Sequence, residues 1–167
     1  MIELRVLTPD DWRCWRELRL AALADAPYAF NSRLADWQGG GDREERWRAP
    51  LSIPGSYNLV ALLDGEPAGM ARGVPGAETG TAHLHSLWVS GRARGHGVAD
   101  RLMRAVERWA AGSGAGRLYL GVLPGNGHAI ALYRRHGFEE TAAGAPGRTL
   151  PDGRREVTMS KPLASQR

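Results

Sequence analysis

Apolar and polar residues alternate along this chain with two different periods, and the places where the period changes divide it into elements. Residues 2–7 (IELRVL) alternate as a strand does, and the TPDDW that follows offers Thr8 or Asp10 as a helix cap before an amphipathic stretch reaching Ala24. Residues 26–56 break the pattern. Pro27, Pro50, Pro54 and three glycines at 39–41 surround a charged piece, DREERWR, which predicts irregular chain holding one or two short helices. YNLVALLDGEPAGMARGV reads as a hairpin, because two apolar runs flank Asp64-Gly65-Glu66-Pro67 and glycine supplies the positive φ of a tight turn. TAHLHSLWV is a strand, and a helix from about Val98 to Ala111 places Val98, Leu102, Val106 and Trp109 on one face before Gly112 and Gly114 end it. RLYLGVL predicts another strand and HAIALYRRHGF a short helix stopped by Gly137. EETAA and REVTMSKPL predict two last strands around a Pro/Gly loop.

Strands and helices interleaved in this way make an α/β (α+β) chain, and 167 residues suit one domain, expected over 1–163 with 164–167 as a tail. Apolar residues at 43% and charged residues at 24% predict a packed core. Of 22 basic residues only Lys161 is lysine, and the arginines are dispersed, which favours an anionic small molecule over nucleic acid. A lone cysteine, Cys14, excludes an internal disulfide and a multi-cysteine metal site, and its default place is a small buried position. The charged start and the lack of an apolar run of about 18–20 residues lead to the expectation of a cytoplasmic protein without a membrane partner. No His or carboxylate pair has metal spacing, so no metal is expected.

The most informative stretch is LWVSGRARGHGVADRLM, a strand that runs through a glycine-containing turn into a helix. Amides at a helix start lack intrahelical partners, the dipole adds positive charge, and glycines admit a phosphate close to the backbone. Arg92 and Arg94 would add charge. Taken alone, Gly95 and Gly97 equally allow a tight turn and no ligand. Neither a Walker loop nor a dinucleotide-binding fingerprint is present.

Val89 followed five residues later by Arg94-Gly95-His96-Gly97-Val98-Ala99 matches the cofactor motif Arg/Gln-x-x-Gly-x-Gly/Ala of the GCN5-related N-acetyltransferase (GNAT) superfamily. The overlapping match from Arg92 to Gly97 sits two residues too close to Val89. A second block, Asn126, then Ala129-Ile130-Ala131-Leu132-Tyr133, then Gly137-Phe138, resembles the same family's Asn-x-x-Ala-x-x-Leu-Tyr-x-x-x-Gly-Phe signature. The resemblance implies a mixed, mostly antiparallel seven-stranded sheet with about four helices on both faces, its fourth and fifth strands parallel and splayed. It implies acetyl-CoA as cosubstrate. Leu87, Trp88 and Val89 would line the pantetheine arm and offer backbone hydrogen bonds, Arg94, Gly95, His96, Gly97, Val98, Ala99 and Asp100 would form the diphosphate motif, and Asn126 would bond the pantetheine end. Tyr133 would sit near the CoA sulfur. The family also leaves a homodimer open.

Transfer from a thioester to an amine needs a neutral amine, oxyanion stabilisation and a proton for the departing thiolate. Tyr133 is the candidate donor. For the base, His83 and His85 stand two apart on one strand and so share a face, with unperturbed pKa values of about 6.5. HLHSLWV is similar to the strand of arylalkylamine N-acetyltransferases in which paired histidines deprotonate the amine through water. A solvent-facing or structural pair is the other reading, and His85, nearer the splayed end, is the preferred base. Many protein-acetylating relatives carry a glutamate corresponding to Gly121, which this chain lacks. His96 and His128 belong to surface positions, and His136 to a helix end.

Acceptor choice is expected from residues 26–56 and the loop from Gly144 to Gly153. Tyr28, Phe30, Trp37 and Trp47 could form an aromatic amine pocket or simply pack. Glu44 and Glu45 could attract a cationic amine or be a solvated face. The leading expectation is a small-molecule primary amine acetylated by direct attack in a ternary complex, with a peptide or protein N-acetyltransferase and a non-catalytic CoA-binding module as alternatives.

Overall fold

Strand β1 (Ile2–Val6) leads through a 3-10 turn at Pro9–Asp11 into α1 (Trp12–Asp25). Thr8 caps the 3-10 turn, where the Asp11 carboxylate accepts from the Thr8 N–H at 2.8 Å and from its hydroxyl at 3.1 Å, whereas α1 itself starts from Asp11 and not from Thr8 or Asp10. After two further 3-10 turns come α2 (Glu44–Leu51), β2 (Tyr57–Leu63), β3 (Glu66–Pro75) and β4 (Thr81–Val89). Then follow α3 (Val98–Gly112), β5 (Arg117–Val122), α4 (Gly127–Arg135), β6 (Glu139–Glu140) and β7 (Val157–Pro162). The computed structural model describes residues 1–26, 34–141, 153 and 155–164. Within them the order of elements is the one the periodicity predicts.

The strands form one sheet in the order β1-β2-β3-β4-β5-β7-β6, antiparallel throughout except for the parallel pair β4 and β5. Asp64 at φ 51 and Gly65 at φ 85 make the two-residue turn between β2 and β3, whose positive dihedrals match the twist of the strands. Both faces are covered. Leu59 and Ala61 of β2 pack with Val98, Leu102 and Val106 of α3 and with Tyr133 of α4, whereas Val60 and Leu62 pack with Trp15, Leu18 and Trp47 from α1 and α2.

Gly73 of β3 admits the α3 face to the sheet. A Cβ there would collide with the Trp109 ring, which stacks on Tyr57 at 5.7 Å between centroids and 4° between planes. Gly73→Ala should therefore destabilise the fold by about 1–3 kcal/mol through overpacking, read as a lower thermal midpoint. An unchanged midpoint would show that the indole has room to yield.

Two irregularities of β4 shape everything that follows. Met70 pairs with Trp88 and Arg72 with His85, so Ser86 and Leu87 of β4 stand opposite Ala71 alone, and Ser86 takes up the excess at φ 57. The bulge shifts the alternation by one. Leu84 and Leu87, three apart, both pack toward α3, and Trp88 is sent to the α1/α2 face. Pairing of β4 with β5 extends over Thr81–Arg117, Ala82–Leu118 and His83–Tyr119 and stops there. The remainder of the two strands splays apart.

Candidate active site

The splay opens a cleft of about 340 Å³. His83, His85 and Leu87 line it from β4, Asn126 from the start of α4, and Tyr133 from about two turns further on, so five of the residues singled out from the sequence meet in one space. Arg19, Tyr119 and Glu156 also line it. None of these three carries a signal in its own neighbourhood of the sequence, since each is delivered by an element distant from the motifs. Gly121 is the one local hint: a glycine inside a strand often marks the close approach of another group, and here Glu156 makes that approach.

At the start of α3 the chain makes an anion cradle from its backbone. Gly95 and Gly97 lie in the left-handed region at φ 86 and 80, and Gly97 occupies the cap position without a side-chain cap. The first aligned bond of the helix is donated by Arg101 to the Gly97 carbonyl at 3.1 Å. From Gly95 to Asp100 no N–H makes a well-aligned hydrogen bond to a described residue, so these donors, with the helix dipole behind them, present a site for an anion. A Cβ at Gly95 or Gly97 would meet nothing within 4 Å, so the backbone dihedral and not crowding calls for glycine.

The arginines of this segment are otherwise engaged. Arg94 donates to Asp25 at 2.6 Å and to the Val89 carbonyl at 3.3 Å, and Arg92 donates to the Pro67 carbonyl at 2.6 Å. Asp25 also accepts from the Trp88 indole at 3.0 Å, and this bond first, with Arg94 behind it, holds the Asp25 carboxyl below its ordinary pKa. Arg94 thus fastens the turn to α1. Trp88, expected beside Leu87, turns its indole to the α1/α2 face, and Val89 packs against the α3 side without reaching the cleft. The Asp100 carboxylate points to His136 at 2.7 Å and Arg135 at 3.1 Å, the first of which chiefly lowers its pKa. These bonds tie the C-terminal end of α4 to the first turn of α3.

Tyr133 is 8% exposed and its ring meets Phe138 edge-on at 5.9 Å. Its hydroxyl has no hydrogen-bond partner among the described residues, and burial pushes its pKa up to about 12, so it stays a phenol at neutral pH. Asn126 caps α4, its side-chain oxygen accepting from the Ala129 N–H at 3.4 Å, and the same residue lines the cleft. His83 stacks on His85 at 6.0 Å and on Tyr119 at 5.6 Å, and desolvation lowers its pKa below 6.5. His85 is exposed and stands past the last β4–β5 pair, where the strands part.

Several expected residues lie elsewhere. Trp47 is 1% exposed in the α1/α2 core, donates to Asp42 at 2.8 Å and packs against Trp37 at 4.8 Å. Neither tryptophan lines the cleft. Glu44 pairs with Arg48 at 2.9 Å and Glu45 with Arg43 at 3.6 Å on exposed helix surface. His96 and His128 are exposed at the starts of α3 and α4. Cys14 is partly buried on α1, where burial chiefly and Glu17 after it raise the thiol pKa. Tyr28, Phe30 and nearly all of the loop from Gly144 to Gly153 fall outside the described residues. Among the described residues no three His, Cys, Asp or Glu side chains gather as a metal site, and no helix is long and apolar enough to cross a membrane.

Residues 10–138 match the family model described as the acetyltransferase (GNAT) family. No curated protein sequence shows significant similarity to the chain. Among solved structures, the PaiA N-acetyltransferase of Thermoplasma acidophilum in complex with coenzyme A is similar at a TM-score of 0.75 and 16% identity, covering 98% of this chain and 99% of that one. The ribosomal-protein-S18-alanine N-acetyltransferase of Escherichia coli is similar at 0.71 and 20%, with 100% and 97% covered. Nourseothricin acetyltransferase is similar at 0.59 and 32% identity over 66% of this chain and 67% of that one.

Proposed function

The chain belongs to the acetyltransferase (GNAT) family and works with acetyl-CoA, and from that premise we propose that it acetylates a primary amine of a small molecule by direct attack within a ternary complex. The observation that carries this reading is the splay itself: Tyr133 reaches it from the α3/α4 side and His83 and His85 reach it from β4 on the other face.

The residues present fit the cosubstrate. A diphosphate needs a row of donors and would find the amides from Gly95 to Asp100, which have no partner among the described residues. The pantetheine chain needs an apolar trough with polar punctuation, for which Leu87 and Asn126 serve. Bound acetyl-CoA supplies a thioester carbonyl open to an amine. The chain supplies the rest. His85, with His83 beside it, takes the proton that makes the amine a nucleophile, and the neutral state of His83 suits it to that role at neutral pH. The Tyr133 hydroxyl donates toward the sulfur as the C–S bond breaks.

Gly97→Ala tests the cradle. An alanine at φ 80 is strained by roughly 1–2 kcal/mol, strain the empty turn can relax but a turn held on a diphosphate cannot. The Kd for acetyl-CoA measured by calorimetry should rise about tenfold with little change in thermal midpoint. An unaltered Kd would place the diphosphate elsewhere.

Similarity to nourseothricin acetyltransferase favours a small acceptor, and similarity to the ribosomal-protein-alanine enzyme keeps a peptide acceptor as the second reading. Acetyl-CoA turnover, followed as thiol release against a panel of amines and a panel of peptides, decides between them. Turnover of small primary amines is expected, and activity on peptides alone would reject the first reading.

A further inference from the structure

Glu156 enters the cleft from the residue just before β7, and it does so over Gly121 of β5. The two strands pair with Gly121 opposite Thr158 and Val122 opposite Val157, which brings the next residue, Glu156, over the end of β5 where it has parted from β4. A Cβ built on Gly121 would collide with the Glu156 Oε2 and lie 3.0 Å from its Cδ. Gly121 has no positive φ, so its backbone makes no demand for glycine. Glycine inside a strand is unfavourable by about 0.5–1 kcal/mol, and what it provides at this position is room for a carboxylate.

We propose that Glu156 is the acceptor-binding carboxylate, receiving the ammonium group of a cationic aliphatic amine in the cleft beside His83, His85 and Tyr133, with Gly121 kept bare to seat it. The inference rests on the acetyltransferase reading of the cleft and narrows its substrate class. An aliphatic amine has a pKa of about 10 and arrives as an ammonium ion, with three N–H donors and a full charge. A carboxylate accepts from those donors in charge-assisted bonds, while the neighbouring imidazoles remain to take the proton before attack. An arylamine or an alcohol arrives uncharged and gains little from the same group. Selection of cationic acceptors therefore comes from a residue that the β5 strand itself does not carry.

The test is calorimetry on the full chain saturated with coenzyme A, using phenethylamine and cadaverine as cationic probes and aniline as the uncharged one, alongside steady-state transfer from acetyl-CoA. In Glu156→Gln the Kd and KM of the cationic amines should rise about 10–100-fold, while aniline binding and coenzyme affinity hold. Gly121→Ala crowds the carboxylate without removing it and should weaken cationic amines in the same direction. It decides the question from the other strand should Glu156→Gln lose coenzyme binding and with it the fold. Equal affinity of wild type and variant for the cationic probes overturns the proposal, and continued transfer by both would leave the acetyltransferase reading standing. Amine binding that depends on Glu156 in a protein transferring acetyl to none of these amines would support the carboxylate subsite and reject the transfer reading instead.

Discussion

Tyr133→Phe is expected to lower kcat by about 10²-fold or more while the Kd for acetyl-CoA stays within about twofold. The asymmetry follows from what the substitution removes. The ring keeps its edge-on contact with Phe138 and its place in the core, so neither the fold nor the trough is disturbed. Only the hydroxyl goes, and it has no hydrogen-bond partner among the described residues to leave unsatisfied. A phenol with a pKa of about 12 lies roughly three units above a free thiol at about 8.5, so complete proton transfer to a solvated thiolate would be uphill by about 4–5 kcal/mol. In the proposed acid role Tyr133 would act first as a hydrogen-bond donor to the charge growing on sulfur, and would give up its proton only as the same desolvated surroundings raise the thiolate's own affinity for it. Because the active form is the protonated one and burial raises its pKa, ionisation of Tyr133 removes activity only as pH approaches 12. No alkaline limb in the accessible range should belong to it. Equal kcat in the variant would take the acid role from this residue.

The parts of the molecule legible in the sequence are those governed by local rules. Asp64-Gly65 forms its turn because two adjacent residues adopt positive φ, and Gly95 and Gly97 do the same ahead of α3. The α3 face from Val98 to Trp109 follows from helical spacing alone. The β4 bulge is different. TAHLHSLWV contains no glycine or proline to announce it, and Ser86 holds the left-handed conformation where β4 carries one residue more than β3 between their pairs. Strict alternation would put Trp88 on the face of Ala82 and Leu84, whereas the extra residue sends its indole to Asp25 on α1. Arg94 stands in a phosphate motif, yet its partner is that same Asp25, 69 residues away. Trp37 and Trp47 are aromatic in the segment expected to choose the acceptor, but Trp47 is buried in the α1/α2 core and Trp37 packs against it. Tyr119, Arg19 and Glu156 reach the cleft by sheet order and helix packing, which no window of sequence contains.

The histidine pair carries the second large effect. His85→Ala should lower kcat and flatten the acid limb of its pH profile, and the double variant His83→Ala/His85→Ala should fall by about 10²–10⁴-fold. A base works unprotonated, so the rate is full above its pKa and declines as pH drops through it. Desolvation disfavours the His83 imidazolium, which moves any limb owed to that residue below 6.5 and keeps it neutral at physiological pH. The two rings stack at 6.0 Å on one face of β4, close enough for one to assume part of the other's task through a shared water. Each single loss should then be smaller than the loss of both, and the excess measured in a double-mutant cycle is the sign of a shared role. Two histidines with merely structural roles would lower thermal stability and leave the shape of the kcat profile untouched. If the acid limb survives in the double variant, the proton must go elsewhere in the cleft, and Glu156 is the group there whose carboxylate could receive it.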